Sequence, residues 1–125
     1  MMTGKLDLIV EDNSKNLKLV TDVLQYHGFR TLGAGTAGEG IALAEQSPPD
    51  LILMDIQLPD MDGITALGHL RASAKTSAIP VVAFTALAMA ADRERILAAG
   101  FDGYLVKPID IHEFPEQVRQ YCEPR

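Results

Sequence analysis

The chain is short of cysteine, of positive charge and of long apolar runs, and each shortage removes a class of protein. A single cysteine, Cys122, cannot close an internal disulfide, which fits a reducing compartment. No base or oxyanion donor accompanies it in the local sequence, so a partly buried thiol is a simpler account than a nucleophile. Lysine and arginine number 11 against 17 aspartates and glutamates, a formal charge of −6 with no basic stripe. The protein's own field would repel phosphate backbones and anionic lipid, so neither nucleic acid nor a membrane surface is expected as a partner. No run reaches the ~18 apolar residues of a membrane span, and the opening MMTGKLDLIV has no signal-peptide core. A soluble, cytoplasmic protein is expected. Repeats, low-complexity tracts and linkers are also missing. The 125 residues, 47% of them hydrophobic, therefore read as one domain, 1–125, with one core and no output domain.

What is present is alternation. Short apolar runs and helical patterns follow one another five times, which predicts an α/β domain built on a parallel sheet. Strands are expected over roughly 5–10, 29–33, 50–55, 80–84 and 102–106. LILM and VVAF are apolar at consecutive positions, so those strands should be central, with helices on both faces. Helix one should start at Asn13-Ser14, carry a stripe at Leu17, Val20, Leu24 and His27, and stop at Gly28. Helix two is expected from Thr36 to Gln46, halted by Pro48-Pro49, and helix three after Met61-Asp62-Gly63. The alanine-rich pattern from Leu87 to Ala99 predicts a fourth helix ending at Gly100 and less firmly held than the others, because small side chains supply little anchoring area. Asp110 and Glu113 have capping-box spacing, with a stripe at Ile111, Phe114, Val118 and Tyr121, but Pro115 predicts a distorted or late-starting fifth helix. Met54, Met61 and Met89 read as packing residues, and Tyr26 and Tyr121 as surface or boundary residues. His69 and His112 lack the helical partner of a metal site.

Four of the five strands end in a polar residue suited to phosphoryl chemistry: Glu11-Asp12 after LDLIV, Asp55 after LILM, Thr85 after VVAF and Lys107 after GYLV. In an open parallel sheet the carboxyl ends of the strands share one crevice, so these residues should meet. Three carboxylates form a dense all-oxygen site that a cation must neutralise, and magnesium suits it best. Lys107 could pair with Asp55 or with a phosphoryl oxygen, and Thr85 offers a hydroxyl to another. Such a setting makes Asp55 a candidate nucleophile. Singly, each residue is better explained as a turn, a cap or a solvated strand end; it is their joint occurrence that points to chemistry.

From LDLIVEDN through LILMDIQLPDMDG and VVAFTA to GYLVKP, the chain resembles the receiver domain of bacterial two-component response regulators over nearly its whole length. The resemblance implies a flavodoxin-like doubly wound (βα)5 fold with strand order 2-1-3-4-5, the order that the chemotaxis receiver exemplifies. It further implies that Asp55 accepts a phosphoryl group from a phosphohistidine on a sensor histidine kinase or histidine phosphotransfer protein. Mg2+ would be held by Asp12, Asp55 and the Gln57 backbone carbonyl, with Glu11 acting through a water. Lys107 would contact the phosphoryl group beside a cis peptide to Pro108. Thr85 and Tyr104 match the family's switch pair: the hydroxyl would move toward the phosphoryl group, the ring would turn inward, and the surface of helix four, strand five and helix five would change for a downstream protein effector. Gln57 and Leu87 match positions that set phosphoryl lifetime. Glu11 departs from the commoner Asp, and Pro115 from the usual output face. Such a protein catalyses only its own phosphorylation and slow dephosphorylation, and Met1 and the short tail favour a stand-alone receiver.

Two other readings compete. Gly33-Ala-Gly35-Thr-Ala-Gly38 fits G-x-G-x-x-G between a strand and a helix, as in a nucleotide-binding enzyme, but it lies in the second strand-helix unit rather than the first and leaves Asp12, Thr85 and Lys107 unexplained. A receiver-like docking module that is never phosphorylated would have no need of Glu11, Asp12, Asp55, Thr85 and Lys107 together.

Overall fold

The computed structural model describes residues 4–122. Strands and helices alternate: β1 (Leu6–Val10), α1 (Ser14–Tyr26), β2 (Arg30–Ala34), α2 (Ala37–Gln46), β3 (Leu51–Met54), α3 (Gly63–Ala72), β4 (Val81–Thr85), α4 (Ala90–Ala98), β5 (Gly103–Val106) and α5 (Phe114–Cys122). Every strand pair is parallel and the order is β2-β1-β3-β4-β5, the expected flavodoxin-like arrangement. The direction of winding reverses between β1 and β3, and in such sheets the crevice beyond that reversal is where ligands bind. Val10 pairs with both Ala34 and Met54, which sets the next residues, Glu11 and Asp55, side by side.

The two-residue period of the strands divides the core into two layers. Leu8, Val10, Ile52, Met54, Val81 and Ala83 face α2, α3 and α4, where Ala37, Ala44, Leu67, Leu70 and Ile96 cover them. Ile9, Leu51, Leu53, Val82, Phe84 and Leu105 face α1 and α5, under Val20, Leu24, Phe114 and Val118. β3 and β4 are buried along their whole length, as consecutive apolar residues require. Asn13, Thr36 and Asp62 cap α1, α2 and α3 by accepting from the backbone N–H three residues on. Gly28 and Gly100 turn the chain after α1 and α4 at φ of 90° and 113°, a backbone that side chains with a Cβ resist.

Four expectations shift in detail, while the late start expected of the fifth helix is met. The fourth helix starts at Ala90 rather than Leu87, because the Leu87 N–H donates to Thr85 Oγ1 at 3.1 Å and holds the intervening residues in a turn. Met89 lies in that turn, exposed rather than packed. The fifth helix starts late, at Phe114: the Asp110 carboxylate accepts from the N–H groups of His112 and Glu113, and Pro115 then falls in the first turn, where a missing N–H costs nothing. Ile111 is left in the turn and 51% exposed, outside the stripe continued by Phe114, Val118 and Tyr121. His27 caps α1 at its C-terminus and is exposed, so the buried stripe ends at Leu24.

Candidate functional site

Glu11 is buried at the end of β1, Asp12 follows it exposed, and Asp55 is buried at the end of β3. One carboxylate oxygen from each lies within 4.8 Å of the other two. Lys107 reaches them from the end of β5, its Nζ 2.8 Å from Asp55 Oδ2, in contact with Glu11 Oε1 and 5.1 Å from the centre of the Phe84 ring. The remaining oxygens of the two buried acids accept backbone N–H groups: Asn13 N donates to Glu11 Oε2 and Gln57 N to Asp55 Oδ1, both at 3.0 Å. Each buried carboxylate thus has one oxygen turned to the ammonium and the other held by the following loop.

Burial pushes the Glu11 carboxyl above its usual range, with Lys107 and the Asn13 N–H pulling the other way. Burial also works to lower the Lys107 ammonium, but its bonds to Asp55 and Glu11 outweigh it and the net shift is upward. Lys107 therefore stays charged at neutral pH. The donor set, three carboxylates without nitrogen or sulfur, fits a hard divalent cation such as magnesium.

Thr85 is buried at the end of β4, and its carbonyl accepts the Lys107 N–H at 2.8 Å. The Lys107-Pro108 peptide is cis. Tyr104 pairs with Ala83 and lies half-buried against the core layer that contains Ile96; its hydroxyl is enclosed and has no hydrogen-bond partner among the described residues. Gln57 is exposed in the loop between β3 and α3. That loop closes tightly: Gly63 N donates to Ile56 O at 2.7 Å, and a Cβ on Gly63 would lie 2.5 Å from the Asp55 carbonyl oxygen. Glycine is required there for close approach rather than for an unusual φ.

Glu11, Asp12, Asp55 and Lys107 therefore meet, Thr85 is tied to them through the bond from the Lys107 N–H to its carbonyl, and Tyr104 lies on β5 three residues before Lys107, opposite Ala83. Sequence reasoning missed Asp60. Its carboxylate accepts from the N–H groups of Ala37 and Gly38, each at 2.9 Å, and the Gly35 N–H goes to Glu39 Oε1. The amides that a pyrophosphate would need at the Gly33–Gly38 turn are already engaged by this chain's own carboxylates, which removes the structural basis of the nucleotide-binding reading. The available signal was an acid after proline in a loop, but no local pattern says which helix such an acid will reach. No helix among the described residues is long and apolar enough to cross a membrane.

Residues 8–119 match the response regulator receiver domain family. The polar-differentiation response regulator DivK of Brucella abortus is 41% identical over 114 residues, which span 91% of this chain and 93% of that protein. Among solved structures, the receiver domain of sensor histidine kinase PA1611 from Pseudomonas aeruginosa PAO1, with a magnesium ion coordinated in its active-site cleft, is 33% identical with a TM-score of 0.87, covering 96% of this chain and 98% of that one. A CheY-like receiver domain protein from Methanospirillum hungatei JF-1 is 30% identical with a TM-score of 0.85, covering 96% and 94%.

Proposed function

We propose, from the premise that this chain belongs to the response regulator receiver domain family, that it is a signalling switch set by phosphorylation of Asp55. The donor would be a phosphohistidine on a sensor kinase or phosphotransfer protein, and the readout a protein effector. The observation that carries this reading is the position of Lys107, which spans Glu11 and Asp55 at the mouth of the crevice.

Chemically, an oxygen of Asp55 attacks phosphorus, the P–N bond breaks, and the imidazole leaves with the bonding pair. Lys107 exchanges its bond to Asp55 for one to a phosphoryl oxygen, while the Gln57 N–H keeps the other Asp55 oxygen oriented. Magnesium, when bound, would neutralise charge on the phosphoryl oxygens. Asp12, Asp55 and the Gln57 carbonyl are the groups to hold it directly. Glu11, tied to Lys107 and to the Asn13 N–H, is placed to act through a water.

Thr85 couples occupancy to the surface. Its oxygen accepts the Leu87 N–H, and a hydroxyl drawn toward the phosphoryl group would loosen the turn that leads into α4. Tyr104 and Leu87 both pack against the core layer that contains Ile96 of α4, so the α4-β5-α5 surface would change with that turn. Incubation with acetyl phosphate and magnesium, followed by mass spectrometry, tests the reading: a gain of one phosphoryl group is expected in the wild type and none in Asp55→Asn. No gain with any phosphoryl donor would leave a docking module instead.

A further inference from the structure

The Gly33–Gly38 turn and the loop after Asp55 are far apart in sequence, and one side chain joins them. Asp60 Oδ1 accepts from Ala37 N and Oδ2 from Gly38 N, so a single carboxylate clasps the first turn of α2 with both oxygens. α2 is 10 residues long, and the positive end of its dipole and its unpaired N–H groups favour an anion here. These two bonds depress the Asp60 carboxyl below its usual range, the bond to Gly38 contributing most, so the clasp is ionised at neutral pH. A Cβ on Gly38 would stand 3.4 Å from Asp60 Oδ2, so the small residues of the turn bring the helix end close to the loop.

Asp60 stands at the apex of the segment joining β3 to α3. The base of that segment is closed by the Gly63–Ile56 bond and by the bridge between Gln57 and Asp62. The apex has apolar support only from Leu58 and Met61, both partly buried. Gln57, whose N–H orients Asp55 and whose carbonyl would hold the metal in the reading above, belongs to that base, three residues before Asp60. We propose that Asp60 is a positioning residue for that site: its clasp on the α2 N-terminus fixes the loop that carries Gln57, and so sets metal affinity without touching the metal. The inference rests on the receiver reading. The G-x-G-x-x-G turn thereby acquires a role, as the receptor for an anion of its own chain.

Asp60→Asn keeps the shape but sets an amide N–H₂ against one of the two donors, and Asp60→Ala removes both acceptors. Calorimetric Mg2+ titration of the folded proteins should show about tenfold weaker binding in Asp60→Ala, in the range set by partners behind a metal's direct ligands, and a smaller loss in Asp60→Asn. Phosphorylation by acetyl phosphate should fall at low Mg2+ and recover at saturating Mg2+, a split that a general loss of stability would not produce. If wild type binds Mg2+ and is phosphorylated while both variants match it at every Mg2+ concentration, the positioning role is wrong and the receiver reading stands. If wild type does neither, the receiver reading fails and the positioning role with it.

Discussion

Asp7 is wholly buried near the amino end of β1, on the face that Ile9 also uses. Its Oδ1 accepts from the Cys122 thiol at 3.2 Å, and its Oδ2 has no hydrogen-bond partner among the described residues. Burial pushes its carboxyl up to about 7, the Cys122 bond working against that and the charge of Asp50 adding to it. Burial, with Asp7 beside it, pushes the Cys122 thiol far up, so Cys122 is a neutral donor. The folded protein therefore keeps a proton on Asp7 at pH values where the unfolded chain has released it. Stability should fall as pH rises above the unfolded value of 3.8 and level off above about 7, a loss on the order of 4 kcal/mol. Asp7→Asn should abolish this contribution and be the more stable protein at about pH 8, as read by urea midpoints. Parallel midpoints for the two proteins from about pH 5 to pH 8 would show that Asp7 does not carry the proton. A lone acid inside LDLIV was visible in the sequence, yet nothing local announced a thiol 115 residues away as its partner.

Among the helices, α4 is held least. Ile96 is its one buried residue, whereas α3 buries Gly63, Ala66, Leu67 and Leu70, and the Met89 N-cap of α4 supplies no side-chain bond. Its amides should exchange faster than those of α3, and exchange in α4 should change most when beryllofluoride mimics the phosphoryl group. Equal protection in α3 and α4, with no response to the mimic, would remove α4 as the moving element. The weakness of α4 was legible, since alanine offers little area to bury. Its starting point was not, because it depends on a hydroxyl from the preceding strand. α5 shows the converse: Pro115 correctly foretold a late start, but the exposure of Ile111 depends on how the Asp110 turn closes.

The whole molecule has two unlike ends. At the carboxyl ends of the strands Glu11, Asp55 and Thr85 are buried together, whereas Asp7 and Cys122 form a separate buried pair near the other end of the sheet. Strand polarity made the first group legible, because parallel strands bring their final residues to one edge whatever their separation in sequence. The Asp60 clasp and the Asp7 pair were not, since each depends on where a helix end docks. Binding of Mg2+ to the folded state alone should raise the melting temperature. At ten times Kd the gain is about 1.4 kcal/mol, or roughly 2–6 °C for a domain of this size. Asp12→Ala should lose most of that shift while changing the melting temperature in EDTA little, because Asp12 is exposed. An undiminished shift in Asp12→Ala would place the ion elsewhere.

The position of Lys107 also fixes a charge count. With Glu11, Asp12 and Asp55 ionised, the cluster carries three negative charges and Lys107 returns one positive. The remainder is two, the charge that one divalent ion cancels. A monovalent ion would leave the crevice anionic and hostile to an incoming phosphoryl dianion, and a second divalent ion would overshoot. In the proposed reading the lysine would act as a built-in counterion that favours a divalent companion.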